Sequence, residues 1–204
     1  MKQRLFFTLF SSVLFLGFSL VPTPSDPAIA EPRQAAVRQS ANEPRRHTGL
    51  PEGHILEERR RFLSHFPFGS AMAVAAERRK VDGLLLAAVV EMESRFSPTV
   101  VSPRGAVGLM QVQPSTGAMF GVSDLENPAV NLDVGSRYLH GLLQDYDGDL
   151  ELALAAYNAG PAAVERYGGV PPFRETRAYV RKVLGRYEAH KKSLHGAPPV
   201  RLPE

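Results

Sequence analysis

The chain of 204 residues contains no cysteine and no tryptophan. The absence of cysteine excludes disulfides, thiolate metal sites, a cysteine nucleophile and a lipid-modified N-terminal cysteine. Strong charge of one sign is also missing, because the formal net charge is only +3. The most basic cluster, residues 57–61, contains its own acidic residues at helical spacing, which indicates a solvated helix face. No aromatic residues interleave with it, so we expect no nucleic-acid partner.

The first 30 residues have the pattern of a secretory signal peptide. Basic residues at the start precede an apolar stretch over residues 5–21, and a small-residue cleavage site ends at Ala30. The stretch is long for such a signal, so an uncleaved anchor in the inner membrane is the alternative. Ser11, Ser12 and Gly17 interrupt it, whereas a spanning helix needs about 20 apolar residues. We therefore expect export to the periplasm.

The rest of the chain divides into three parts. Residues 31–51 are polar, charged and poor in aromatics, which predicts a disordered tether. Residues 191–204 carry three prolines and are predicted to be a flexible tail. The remaining range, 52–190, is a suitable size for one hydrophobic core. Helical periodicity dominates it and two-residue alternation is absent, so the fold class is predicted to be mainly α, as a single domain.

Local signals predict where some of the helices begin. Ser70 is a suitable N-cap for the second helix, and Asp82 can cap the third. A fifth helix is predicted over about Asn131 to Tyr146, and the helical spacing of Tyr138 within it favours a position in the core.

One carboxylate stands out at the end of a strongly apolar helical run. Leu85, Ala88, Val89 and Met92 form one stripe at helical spacing, and Glu93 lies at the border of that stripe. A carboxyl group held there loses solvation, so its pKa should rise. A carboxylic acid that stays protonated near neutral pH can serve as a general acid.

Three further segments carry signals of a site. Two glycines in residues 105–114 allow a tight turn and a close backbone approach to a ligand. Residues 152–161 form an apolar helix that ends at a glycine and restarts at a proline, which presents Tyr157 and Asn158 at a helix corner. Residues 173–180 open the last predicted helix and end in Glu-Thr-Arg-Ala-Tyr-Val.

Taken in order, the pair Glu93-Ser94, Gly-Leu-Met-Gln, Ala-Tyr-Asn-Ala-Gly and Glu-Thr-Arg-Ala-Tyr-Val resemble the catalytic domain of the lytic transglycosylases. These form the Slt-type branch of the goose-lysozyme-like enzymes. The resemblance covers about half the chain, from near Val81 to near Leu184. One position departs from the family pattern: Gln113 stands where an aliphatic residue or methionine is common, which alters the polarity of the groove.

The resemblance implies a lysozyme-like helical domain that acts on peptidoglycan glycan strands. It implies cleavage of the β-1,4 bond between N-acetylmuramic acid and N-acetylglucosamine without water, leaving 1,6-anhydro-N-acetylmuramic acid ends. Glu93 would be the catalytic residue, first as acid and then as base, and no cofactor is expected. By the same resemblance the groove around the scissile bond is lined by Ser102, Met110, Gln111, Tyr157, Asn158 and Tyr179.

A second catalytic acid is not evident, although glycosidases normally use two carboxyl groups. Glu91 lies two positions from Glu93 on the same helix and points to nearly the opposite side. Glu175 falls in the first turn of the last predicted helix, where a helix-dipole charge is the simpler interpretation. A calcium loop is excluded at residues 145–149 because the glycine is fourth instead of sixth, so no metal site is predicted.

Several alternatives stay open at this point. A hydrolytic muramidase would use the same groove with a water nucleophile, and a catalytically silent module would bind peptidoglycan without cutting it. An accessory that opens the wall locally for an envelope secretion or conjugation machine would share the chemistry and differ only in its partner.

Overall fold

The computed structural model describes residues 52–196, so the predicted signal peptide, the tether and residues 197–204 lie outside the described part. Isolated bridges join Val101 to Val107 and Val107 to Val112, and residues 52–196 form no longer strand. The prediction of a mainly α domain is therefore confirmed. The described helices are α1 (Glu52–Leu63), α2 (Gly69–Arg79), α3 (Gly83–Ser94), α4 (Pro114–Met119), α5 (Pro128–Asp145), α6 (Leu150–Ala159), α7 (Pro161–Tyr167) and α8 (Arg174–Gly196).

Helix α3 runs through the centre of the domain and packs against α1, α2 and α8. The predicted single stripe understates its burial, because every residue from Leu84 to Val90 is at most 1% exposed. An uninterrupted apolar run has no polar face to turn to solvent, so the helix is surrounded. Asp82 caps it as predicted: its carboxylate accepts a hydrogen bond from the Leu84 N–H at 2.8 Å.

Two helices begin earlier than the sequence predicts. We expected the fifth helix to start at Asn131, but α5 starts at Pro128, and the Asn127 side chain accepts from the backbone N–H groups of its first turn. Proline suits the first helical position because its fixed φ is already helical. Ser70 was the expected cap of α2, but that helix already includes Gly69.

Helix α8 extends further than predicted. It continues to Gly196, so residues 191–196 of the predicted tail are helical. Leu194, within the extension, packs against the core. His190, just before it, is 7% exposed and packs against the rings of Phe62 and Phe66, with centroids 5.9 and 5.1 Å away. No helix within residues 52–196 has both the length and the apolarity needed to cross a bilayer.

A single buried amide fixes the segment between α3 and α4. Asn131 is fully buried on α5; its Oδ1 accepts from the Met110 N–H at 2.8 Å. Its Nδ2 donates to the carbonyls of Val107 and Leu125 at 2.8 and 2.9 Å. A Cβ at Gly108 would lie 2.6 Å from that nitrogen, so glycine is required there for the close approach.

Substituting Asn131 with alanine should therefore be strongly destabilising. The buried Met110 N–H and Leu125 carbonyl would lose this partner, and each such group costs about 1–3 kcal/mol. The Val107 carbonyl would keep only its bond from the Val112 N–H. We expect Asn131→Ala to lower the free energy of unfolding by about 3 kcal/mol or more, measured by urea denaturation. Gln144→Ala, at an exposed position of the same helix, is the matched control and should change it by less than about 0.5 kcal/mol. Similar losses in both variants would contradict this role of Asn131.

Candidate active site

A polar cavity of about 500 Å³ lies where the C-terminal ends of α3 and α6 meet the α3–α4 segment and the start of α8. Its volume lies within the range of ligand pockets, which commonly measure about 300–1,000 Å³. Four of the residues predicted to form the site line it, together with Glu93. The lining residues are Glu93, Ser102, Pro103, Arg104, Ala106, Gln111, Gln113, Tyr157, Asn158 and Glu175.

Glu93 lies in the last turn of α3, and its side chain is only partly exposed. The Tyr179 hydroxyl donates a hydrogen bond to its Oε1 at 2.7 Å. Burial raises the pKa of Glu93 to about 7; the hydrogen bond from Tyr179 opposes the rise, and the Glu175 carboxylate adds to it. Both protonation states of Glu93 are therefore populated near neutral pH, so the group can act as an acid and as a base.

The two predicted tyrosines have different positions. Tyr179 is 9% exposed and does not line the cavity, so its hydroxyl contacts Glu93 from the protein interior. Tyr157 does line the cavity, and its hydroxyl donates to the Met110 carbonyl at 2.8 Å. Asn158, the next residue, is partly exposed in the same wall.

Gln111 is held in an uncommon backbone conformation, with φ at 47°. Its side-chain Nε2 donates to the carbonyls of Val100 and Gly108 at 3.1 and 3.0 Å. The amide nitrogen is thus used by the segment itself, and the carbonyl oxygen is the part that remains for a ligand. Left-handed backbone at a non-glycine residue is a strain that concentrates at functional sites.

Two serines connect the segment to its surroundings. Ser94 donates from its hydroxyl to the Leu109 carbonyl at 2.8 Å, which ties the end of α3 to the segment beside Glu93. The Ser102 hydroxyl accepts from the Ala106 N–H at 3.0 Å and closes a turn over residues 102–106. The serine of the Glu93-Ser94 pair thus has a structural role that the sequence alone does not show.

Met110 does not lie where we predicted. The structure places it in the core, fully buried, and it does not line the cavity. Its side chain packs on α5, where a Cβ at Gly135 would come within 2.5 Å of its Sδ. The Met110 N–H is held by Asn131, which turns the side chain inward. The Met110 side chain therefore supports the cavity from the core and does not line it.

The cavity also contains an acid that we had interpreted as a helix-dipole charge. Glu175 is exposed in the first turn of α8 and lines the cavity with Glu93. The spacing could have shown this, because Glu175 precedes Tyr179 by four residues and so shares its face of the helix. Glu91 behaves as predicted and faces away, next to Arg186 at 3.0 Å.

A second cavity of about 260 Å³ continues from the first. The two share four lining residues, Gln111, Gln113, Tyr157 and Asn158. Tyr138, for which helical spacing predicts a core position, packs against the core and also lines the second cavity, with its ring 5.6 Å from that of Tyr157. The pair of cavities therefore forms an extended groove that reaches beyond Glu93.

Comparison with known proteins gives consistent results. The model of the family described as "Transglycosylase SLT domain" matches residues 70–180. The chain is 36% identical over 132 residues to the soluble lytic murein transglycosylase of Salmonella typhimurium, covering 53% of this chain and 20% of that protein. For the enzyme of the same name from Escherichia coli K12 the identity is 34%, covering 55% and 21%. The chain thus spans about a fifth of the length of these relatives.

Solved structures show the same fold. An inactive glutamate-to-glutamine variant of lytic transglycosylase Slt from Pseudomonas aeruginosa superposes with a TM-score of 0.57 at 30% identity, covering 66% of this chain and 25% of that one. The 70 kDa soluble lytic transglycosylase of Escherichia coli gives 0.56 at 29% identity, covering 68% and 26%. The predicted lysozyme-like helical fold is confirmed.

The raised pKa of Glu93 predicts that this residue destabilises the folded state at high pH. The folded protein keeps the Glu93 proton up to about pH 7, whereas the unfolded chain releases it near 4.5. Between these values the folded state binds more protons, so the stability of the native protein falls by about 1.4 kcal/mol per pH unit from this group. Glu93→Gln removes that loss and should be the more stable protein above pH 7, with no difference below pH 4.

Urea denaturation across this pH range tests the prediction. Glu126→Gln, an exposed site outside the cavity, is the control and should follow the native protein at every pH. A pH-independent difference between Glu93→Gln and the native protein would show that Glu93 has no raised pKa.

Removing the Tyr179 hydroxyl should raise the pKa of Glu93 further. The hydrogen bond from Tyr179 favours the charged carboxylate, so Tyr179→Phe leaves burial unopposed. Carbon-13 NMR of the glutamate carboxyl groups during a pH titration measures this. Tyr187→Phe is the control, because that hydroxyl donates to Asp82 and should leave Glu93 unchanged. Unfolding of Tyr179→Phe would show instead that Tyr179 acts mainly as a core residue.

Proposed function

The chain belongs to the Transglycosylase SLT domain family, and we propose that it is a peptidoglycan lytic transglycosylase in which Glu93 is the catalytic acid and base. One observation carries this proposal: the half-buried Glu93 carboxyl, with a pKa of about 7, lines a polar cavity formed by the family's matching segment. The relatives' names, lytic murein transglycosylase, support it.

The reaction needs one group that first donates and then accepts a proton. Protonated Glu93 gives its proton to the bridging oxygen while the bond from that oxygen to C1 of N-acetylmuramic acid breaks. The resulting Glu93 carboxylate takes the proton of the sugar's own 6-hydroxyl, and the 6-oxygen bonds to C1. The 1,6-anhydro ring is closed, Glu93 is again protonated, and no water is consumed.

The arrangement of acids favours this route over hydrolysis. An attacking water would be activated by a second carboxylate placed near the reacting carbon. Of the acids in the cavity Glu93 is partly buried, whereas Glu175 is exposed at the start of α8. The 6-hydroxyl is already attached to the reacting sugar, so it attacks without the entropy loss of binding a separate water.

The remaining site residues bind and orient the sugars. Ser102, Gln111 and Asn158 offer hydroxyl and amide groups to the N-acetyl and hydroxyl substituents. The ring of Tyr157 provides an apolar face against which a sugar can stack. Tyr179 orients Glu93 through its hydrogen bond. These groups are sufficient for the proposed chemistry with protein residues alone, so the proposal includes no cofactor.

The proposal also includes the place of action. The pattern of residues 1–30 supports export, and peptidoglycan lies outside the inner membrane, so we place the enzyme in the periplasm. Retention by an uncleaved N-terminal anchor would keep it at the same wall. If the enzyme opens the wall for an envelope secretion or conjugation machine, it would use the same reaction. A pull-down from envelope extracts would identify such a partner.

The fragments that the protein releases from purified sacculi test the proposed reaction. We expect soluble muropeptides that end in 1,6-anhydro-N-acetylmuramic acid, lighter by one water than hydrolytic products, in a mass spectrum. Glu93→Gln keeps the side-chain shape but cannot donate a proton. It should lose more than the ~10²–10⁴-fold typical of acid–base catalysis, because both steps use Glu93.

Glu175→Gln is the informative second variant. It should still give anhydro products, with its pH profile moved to lower pH, because the nearby charge that raises the pKa of Glu93 is gone. Reducing-end products that disappear in Glu175→Gln would identify a muramidase instead. Binding to sacculi without any cleavage would identify a silent peptidoglycan-binding module.

A further inference from the structure

Arg104 lies at the tip of the closed turn over residues 102–106, on the wall of the catalytic cavity. The backbone of this turn is fixed by three hydrogen bonds. The Ser102 N–H donates to the Ala106 carbonyl at 2.9 Å, the Gly105 N–H donates to the Ser102 carbonyl at 2.9 Å, and the Ala106 N–H donates to the Ser102 hydroxyl at 3.0 Å. The turn therefore presents Arg104 to the cavity in a set position, while the side chain itself is exposed.

The charge of Arg104 is available to a ligand. Among residues 52–196 no carboxylate lies within ion-pair distance of its guanidinium. It is the only basic residue among the described residues that line the cavity, and the two acids there are Glu93 and Glu175. An anionic group entering the cavity would be repelled by Glu175 and attracted to the wall that carries Arg104.

Uncharged sugars give no reason for a free guanidinium in this wall. Hydroxyl and N-acetyl groups are matched by the serine and amide side chains already present. A guanidinium is suited to carboxylates, which it binds through two parallel hydrogen bonds. The glycan strands of the proposed function carry carboxylates on the lactyl group of N-acetylmuramic acid, when it is unsubstituted, and on the peptide stems otherwise attached there.

We propose that Arg104 is a specificity-determining residue that binds a carboxylate of the peptidoglycan strand beside the scissile bond. This rests on the proposed function for its substrate. It adds a preference for strands that bear a carboxylate near the reacting sugar over neutral oligosaccharides of the same length. Arg104 takes no part in the proton transfers, so its effect falls on binding.

Binding measured without turnover gives the direct test. In a Glu93→Gln background, Arg104→Gln should weaken binding of peptide-bearing glycan strands about tenfold at low salt, as expected for the loss of a charge-assisted pair. Arg104→Lys should restore part of the affinity, because it keeps the charge and loses the two-pronged geometry. The difference should shrink as salt screens the charges. Arg61→Gln, an exposed arginine on α1 outside the cavity, is the matched control and should change nothing.

Two further ligands identify the source of the carboxylate. Strands from which an amidase has removed the stems retain only the lactyl carboxylate, so an effect that persists there assigns that group, and one that vanishes assigns the stem. Chitohexaose has no carboxylate, and its affinity should not depend on Arg104. The proposal would be overturned if adding Arg104→Gln to Glu93→Gln left the affinity for every anionic strand unchanged. It would also be overturned if that substitution weakened the binding of chitohexaose as much as the binding of anionic strands.

Steady-state kinetics distinguish a failure of the Arg104 proposal from a failure of the proposed transglycosylase function. With Glu93 intact, Arg104→Gln should raise KM for peptide-bearing strands about tenfold and leave kcat within about twofold. A native protein that releases no anhydro product contradicts the proposed function, and the binding comparison then still decides the role of Arg104. A native protein that is active, with KM unchanged in Arg104→Gln, contradicts the role of Arg104 alone.

Discussion

The structure of the site depends on the contact between the buried amide of Asn131 and the segment that links α3 to α4. This amide holds the Met110 N–H and the Val107 carbonyl of a segment that has almost no regular structure of its own, and it also holds the Leu125 carbonyl of the connection between α4 and α5. Buried backbone groups must find partners, and here the partner is a side chain from a neighbouring helix. Because Asn131 fixes the Met110 N–H, the Met110 side chain points into the core and the Gln111 side chain reaches the cavity.

Glu93 obtains its properties from the helix that carries it. Helix α3 is surrounded by other helices until its last turn. The Glu93 carboxyl group in that turn therefore lies at the boundary between the core and the cavity. Burial and the charge of Glu175 raise the pKa, while the Tyr179 hydroxyl lowers it, and burial is the largest of the three. Tyr179 can hold its place because α8 packs along α3, and further along α8 the ring of His190 packs against the rings of Phe62 and Phe66.

Features that are set by residues close together in the sequence could be predicted, whereas features that depend on distant residues could not. The Asp82 cap is formed within its own helix, and the border position of Glu93 follows from the apolar periodicity of the helix that carries it, so both could be predicted. The effects of Tyr179 and Glu175 on the pKa of Glu93 come from a different helix, α8, and the periodicity of α3 does not contain them. Asn131 gave no signal, because its partners are backbone groups 6 to 24 residues away. Met110 was misplaced because no periodicity tells inside from outside in an irregular segment. Glu175 could have been placed through its spacing from Tyr179, but its position at a helix start had a simpler explanation.

The groove separates the groups that perform the chemistry from those that can select the strand. Glu93 and Tyr179 belong to packed helices, and changing their positions would disturb the core. Arg104 and Gln113 lie on the α3–α4 segment with side chains that reach the cavity, and neither is fully buried. Residues on such connections can vary without loss of the fold, because the scaffold is held elsewhere. Within one family the proton chemistry can therefore stay constant while the polarity and charge of the groove, and with them the preferred strand, change from one member to another.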